Sequence, residues 1–147
     1  MDQSEQKALS DIKEFGCHIL HVMEEDDNPS FSYSIGIQKI SNHPEIIITG
    51  LKFEIAHSII NEYNNKVKSG ENFITDKFYN DFLENFDVTF KPVNKKYFKE
   101  YFGWARWLYD GNNFKALQLI YPNVNGIWPW DENASSEFKW LIPTLYE

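Results

Sequence analysis

The chain has 147 residues, among them 12 Phe, 8 Tyr and 5 Trp, and a net charge of −8, enough for one domain with a sizeable core. No apolar run reaches the roughly eighteen residues of a membrane-spanning helix, and the polar start Met1–Gln6 has neither the basic nor the apolar part of a signal peptide. Cys17 is the only cysteine, so an internal disulfide is excluded and a single-domain cytoplasmic protein is expected.

Charge is unevenly spread. Residues 1–30 hold eight acids against Lys7 and Lys13, whereas residues 91–109 hold Lys91, Lys95, Lys96, Lys99 and Arg106 against Glu100. The acidic total argues against general nucleic-acid binding, which draws its affinity from phosphate neutralisation, and is compatible with a basic protein partner.

In chain order, Ser4 can cap a helix running to about Phe15, with Ala8, Leu9, Ile12 and Phe15 as its apolar stripe. Gly16 suits the left-handed end of that helix. Residues 17–23 read as a first strand, and Glu24-Glu25-Asp26-Asp27-Asn28-Pro29 as an exposed loop. Phe31–Ile37 alternates clearly, with Phe31, Tyr33, Ile35 and Ile37 on one face and Ser32, Ser34 and Gly36 on the other. The small-residue face either admits a close neighbouring element or leaves room for a ligand. Gln38 to Asn42 is a connection, and the Ile-rich run 45–51 suits a central strand buried on both faces.

From Phe53 to Lys68 the period turns helical, with Phe53, Ala56, Ile59, Ile60, Tyr63 and Val67 on one side. Thr75 or Asp76 can cap a short helical piece across Phe78, Phe82 and Leu83. Residues 86–93 alternate as a strand whose end, at Pro92, is an edge or an exit. Asn94 then caps a helix over 95–109 that carries seven aromatics. They pack or form an interaction face, and Gly103 in the middle suggests a close packing contact. After a turn at 110–113, residues 115–121 form the last strand, followed by the turn leading to Trp128-Pro129-Trp130, a polar loop at 131–136 and an apolar tail that docks back.

Chemistry-bearing residues are few and scattered. His18 and His21, three apart on a strand, face opposite ways. Glu54 and His57 have the helical spacing of a metal-binding pair but no partners. The acidic run 24–27 lacks the alternating spacing and glycine of a calcium loop. Cys17 has no thiol-enzyme flanks, and neither a phosphate-cradling loop, a dinucleotide fingerprint nor a nucleophile elbow is present. No catalytic residue, metal ligand or cofactor is assigned. His43-Pro44-Glu45, at a strand entrance, either ties the connection down or forms a site at the sheet's rim.

Phe31-x-Tyr33-Ser34-Ile35-Gly36-Ile37, His43-Pro44-Glu45, Gly50-Leu51, Leu117-Gln118-Leu119-x-x-Pro122, Gly126-x-x-Pro129-Trp130 and Pro143-x-Leu145 follow one another in an order that resembles the bacterial family catalogued as domain of unknown function 4262. The resemblance covers about residues 15–146. The chain departs from it at Tyr121 and Asn123, where the family usually shows Trp-Pro-Asp, and at Ile142, where a Gln commonly precedes the Pro. Were the family's acid at that turn catalytic, Asn123 would remove it. The resemblance implies no reaction.

The expected architecture is α+β: a mostly antiparallel sheet of about five strands, with helices 53–68 and 95–109 packed on it. The expected function is that of a non-enzymatic binding protein with a basic partner, such as an immunity protein neutralising a bacterial toxin, contacting it through Glu24, Glu25, Asp26, Asp27, Trp128 and Trp130. Surplus aromatics and acidic charge support this. The rival is a small enzyme or ligand-binding domain with a pocket among Tyr33, Ser32, Ser34, Gly36, His43, Glu45, Gln118 and the Trp128-Pro129-Trp130 turn.

Overall fold

The computed structural model describes residues 1–147. Helix α1 (Gln3–Phe15) is capped by Asp2 rather than Ser4: the Asp2 carboxylate accepts the Glu5 N–H, and the Glu5 side chain returns to the Asp2 N–H. This reciprocal arrangement satisfies two end donors at once, where Ser4 alone would have satisfied one. Ala8 and Ile12 are buried, but Phe15, expected in the same stripe, is exposed where the chain turns away at Gly16.

Strands β1 (His18–Val22), β2 (Phe31–Ile35), β3 (Glu45–Thr49), β4 (Phe78–Leu83), β5 (Phe86–Pro92) and β6 (Ala116–Ile120) form one sheet in the order β1-β2-β3-β6-β5-β4. All neighbours are antiparallel except β3 and β6, which are parallel, pairing Ile47 with Gln118. The sheet is thus mixed and has six strands, one more than expected. The additional strand is β4. A helical piece was anticipated there, but Phe78 to Leu83 pairs with β5 through a tight turn at Glu84-Asn85, where Asn85 takes φ 69. Asn tolerates that left-handed conformation better than other side-chain-bearing residues. Tyr79 and Phe82 then pack with Phe73 around Phe90, burial that an isolated helical turn would not provide.

Helices cover both faces. Helix α3 (Phe53–Lys68) lays Ala56, Ile59, Ile60, Tyr63 and Val67 on Ile46, Ile48, Val88, Phe90, Leu117 and Leu119, and Phe138 of α6 (Ser136–Leu141) joins this core. On the other face, Ala8 and Ile12 of α1 meet Phe31, Tyr33, Ile35 and Ile47 together with the aromatic segment 95–109. That segment is not one helix. A 3-10 turn (Lys95–Tyr97), capped by Asn94 as expected, leads into α4 (Phe98–Tyr101); the backbone breaks at Phe102 (φ −120, ψ 44), and α5 (Gly103–Leu108) follows. The break lets Phe98 stack on Phe114 while Phe102 meets Tyr33 edge-on, so Phe98, Tyr101 and Phe102 are all buried. Gly103 makes no close contact, contrary to expectation: a Cβ there would meet nothing within 4 Å.

Ile37 also departs from the sequence reading. The strand ends at Ile35, Gly36 turns left-handed at φ 101, and α2 (Ile37–Ser41) replaces the simple connection. Gly36 is required twice over, by that dihedral and because a Cβ would lie 2.7 Å from Ile12 Cγ1. No helix is long and apolar enough to cross a membrane.

Candidate functional site

Glu45, for which a site at the sheet's rim is one of the two sequence readings, is completely buried at the start of β3. The reason lies in Gly36. Its left-handed turn aims three successive peptide N–H groups at one point, a concave arrangement suited to an anion. Gly36 and Gln38 donate to Glu45 Oε2 at 3.1 Å each, and Ile37 donates to Oε1 at 3.3 Å. The Ser34 hydroxyl donates at 2.8 Å while accepting the Ile46 N–H, and the Tyr109 hydroxyl completes the shell. Burial pushes the Glu45 carboxyl up to about 7, with the Tyr109, Gln38, Ser34 and Ile37 hydrogen bonds holding it back from rising further. Burial and the Glu45 charge raise the Tyr109 phenol in turn. This network ties α2, β2 and α5's end together.

The rest of the anticipated ligand pocket is filled by the protein itself. Ser32 accepts or donates at 2.6 Å to His21 Nδ1, and His21 Nε2 lies 3.1 Å from His57 Nδ1, linking β1, β2 and α3. Burial lowers the His21 pKa, the charge of His57 adds to this, and Glu54 opposes it. Ser32 has only 1% of its surface exposed, so its hydroxyl has no path to a substrate. The Tyr33 hydroxyl accepts the Trp104 N–H. Gln118 is buried, donating to Pro143 O and accepting the Leu145 N–H, and so clamps the C-terminal tail. Of the anticipated pocket residues, Tyr33, Ser34, Gly36, Glu45 and Gln118 are therefore internal ties. His43 alone lines one of the larger clefts, about 490 Å³ in volume. Cys17 borders a smaller cleft of about 300 Å³ with Asp11, His18 and His57. Burial pushes its thiol up to about 12, which leaves it protonated and weakly nucleophilic at neutral pH.

The acidic loop has the opposite character. Glu24, Glu25, Asp26 and Asp27 are all exposed, and the six ion pairs of the structure include none of them. Yet its base is fixed. Glu25 and Asn28 exchange backbone hydrogen bonds, and the Asn28 side chain donates to Glu100 and accepts from Tyr101 of α4. Beside the loop opens a groove of about 490 Å³ whose walls include Met23, Leu51 and Phe53, with Glu24 and Glu54 at its edge and Lys52 as its cation. Met23 is 76% exposed. Glu24 to Asp27 are legible in the sequence as an exposed loop, whereas the placing of Met23, Phe53 and Asn28 beside them is not. Asn28-Pro29 carried the signal of an anchored turn; nothing local predicted that Leu51 and Phe53 return to this place.

The tryptophan turn is built on Asn123, whose side chain accepts the N–H groups of Asn125 and Ile127. A short amide side chain shapes the turn here without any acid. Trp128 and Trp130 stack in parallel, 5.1 Å apart, and Phe78 of β4 meets Trp128 edge-on. Lys91 lies 5.3 Å from the Trp130 and Tyr146 rings and pairs with Asp76. Trp130 and Phe78 remain about half exposed. This shelf and the acidic loop do not meet. The loop follows edge strand β1, and the shelf lies over β4 and β5, four strand intervals or roughly 19 Å across the sheet.

No curated protein and no solved structure matches the chain. A family model described as "Domain of unknown function (DUF4262)" matches residues 11–135, the part that holds all six strands, the acidic loop, the Glu45 network and the tryptophan turn. The chain belongs to that family.

Proposed function

We propose that this protein binds a basic protein partner inside a bacterial cell and neutralises it, in the manner of an immunity protein for a toxin. One observation carries this reading. Four adjacent carboxylates, unpaired within the protein, stand on a loop whose base is pinned by Asn28, next to an open groove with apolar walls. Unpaired charge steers a partner of opposite sign, a fixed base lowers the ordering cost of binding, and Met23 and Phe53 offer the apolar anchor that charge alone does not. The buried state of Ser32, Cys17 and Glu45 supports binding rather than reaction. The Trp128–Trp130 shelf is a second contact, for a large partner or for a separate one.

The test is co-purification from the native cell followed by native mass spectrometry. A stoichiometric basic protein is expected with the wild type. A variant with Glu24, Glu25, Asp26 and Asp27 all changed to Lys should stay folded by circular dichroism and lose that protein. Recovery of the same complex with the charge-reversed variant, or of a small molecule and no protein, would overturn the proposal.

A further inference from the structure

The cleft at His43 has a sign opposite to that of the whole molecule. In a chain with 22 acids and 14 Lys and Arg, its wall carries Lys95, Lys115 and His43 and no carboxylate. Its volume of about 490 Å³ falls within the range of small-molecule sites, roughly 300–1,000 Å³, but the lining is polar, with Phe114 its single large apolar side chain.

The wall divides into groups already committed and groups left free. Gln38 is committed: it donates to Asn113 O and accepts the Lys115 N–H at 2.7 Å. Asn113 spends its amide on Tyr109 O and Asp110 O. These bonds, with the Glu45 network holding the first turn of α2, make a rigid frame. Lys95 uses one of its three ammonium protons on Asn112 O. Lys115 Nζ has no carboxylate partner. Of the two acids next in sequence to wall residues, Glu71 lies 3.7 Å from Lys66 and Glu45 accepts the α2 N–H groups. No carboxylate lines the cleft and none pairs with Lys95 or Lys115, and Asn42 and Asn72 line it as further donors.

We propose that this cleft binds a small, multiply charged anion, a phosphorylated or polycarboxylate molecule, with Lys95 and Lys115 meeting its charge and His43, Asn42 and Asn72 setting its orientation. Two cations within one rigid, acid-free recess favour an anion carrying more than one charge. The site is independent of the acidic loop and serves a different ligand.

Amide NMR spectra of the full chain, titrated separately with pyrophosphate and with citrate at constant ionic strength, test this. Saturable shifts confined to the segments around Asn42, Asn72, Lys95 and Lys115 are expected with at least one of them. The tighter binder tells a phosphoryl ligand from a carboxylate one. The double variant Lys95→Gln, Lys115→Gln should weaken binding by roughly tenfold or more, and Lys13→Gln on α1 should leave it unchanged. No saturation by about 10 mM of either anion, shifts spread over all surface lysines, or undiminished affinity in the double variant would each overturn the proposal.

Discussion

A carboxylate with no exposed surface and five donors around it makes Glu45 sensitive to pH. Its pKa is raised from the ordinary 4.5 to about 7, so between those values the folded protein binds a proton that the unfolded chain has released. Stability is then highest below the unfolded pKa and falls as pH rises through the folded one. The span corresponds to roughly 3 kcal/mol. Denaturant unfolding of the wild type from acidic to neutral pH should show this decline, and Glu45→Gln should lack it over the same window. Equal pH slopes for the two proteins would refute the assignment. Tyr109→Phe removes the one phenolic donor and should cost about 1.5–3 kcal/mol at pH 8, where the carboxylate is charged. The sequence marks His43-Pro44-Glu45 but leaves open whether it ties the connection down or forms a site at the sheet's rim. Tyr109 lies 64 residues away, and no local pattern announces a contact at that distance.

Among the elements, those governed by a single strong period were legible and those governed by long-range packing were not. Helix α3 ran from Phe53 to Lys68 as predicted, because one apolar stripe over sixteen residues leaves little choice. Residues 78–83 are ambiguous in the sequence because their apolar positions suit a short helix as well as a strand. The hairpin turn at Asn85 and the aromatic cluster around Phe90 decide between them. The segment 95–109 satisfied helical spacing throughout, yet breaks at Phe102 to seat its aromatics in the core. Gly103 begins α5 with open space around it, so Gly103→Ala should stabilise the protein by about 0.4–1 kcal/mol through the unfolded chain, read as a rise in the denaturation midpoint. The tail is held through Gln118. Gln118→Ala removes two hydrogen bonds to residues 143 and 145 and should cost about 2–4 kcal/mol, with hydrogen exchange rising first in residues 142–147. Unchanged exchange there would show that Leu145 and Tyr146 hold the tail unaided.

Across the whole molecule, charge is sorted by place. The acidic loop stands at the β1 edge, while the cleft at His43 is cationic, and the aromatic shelf lies at the far edge. If the loop captures a basic partner, association should slow about tenfold or more between low and physiological salt while dissociation changes little, measurable by stopped-flow fluorescence. A salt-independent association rate would point away from the loop.

The sequence by itself determined the α+β class, the location of five strands, the main helix and the exposure of the acidic loop, since each follows from periodicity or composition within a few neighbouring residues. Tertiary structure alone decided the sixth strand, the parallel pairing of β3 with β6, the burial of Glu45 and the acid-free cleft. Each of these depends on which distant segments meet, and on whether a polar group finds its donors inside the protein or in water.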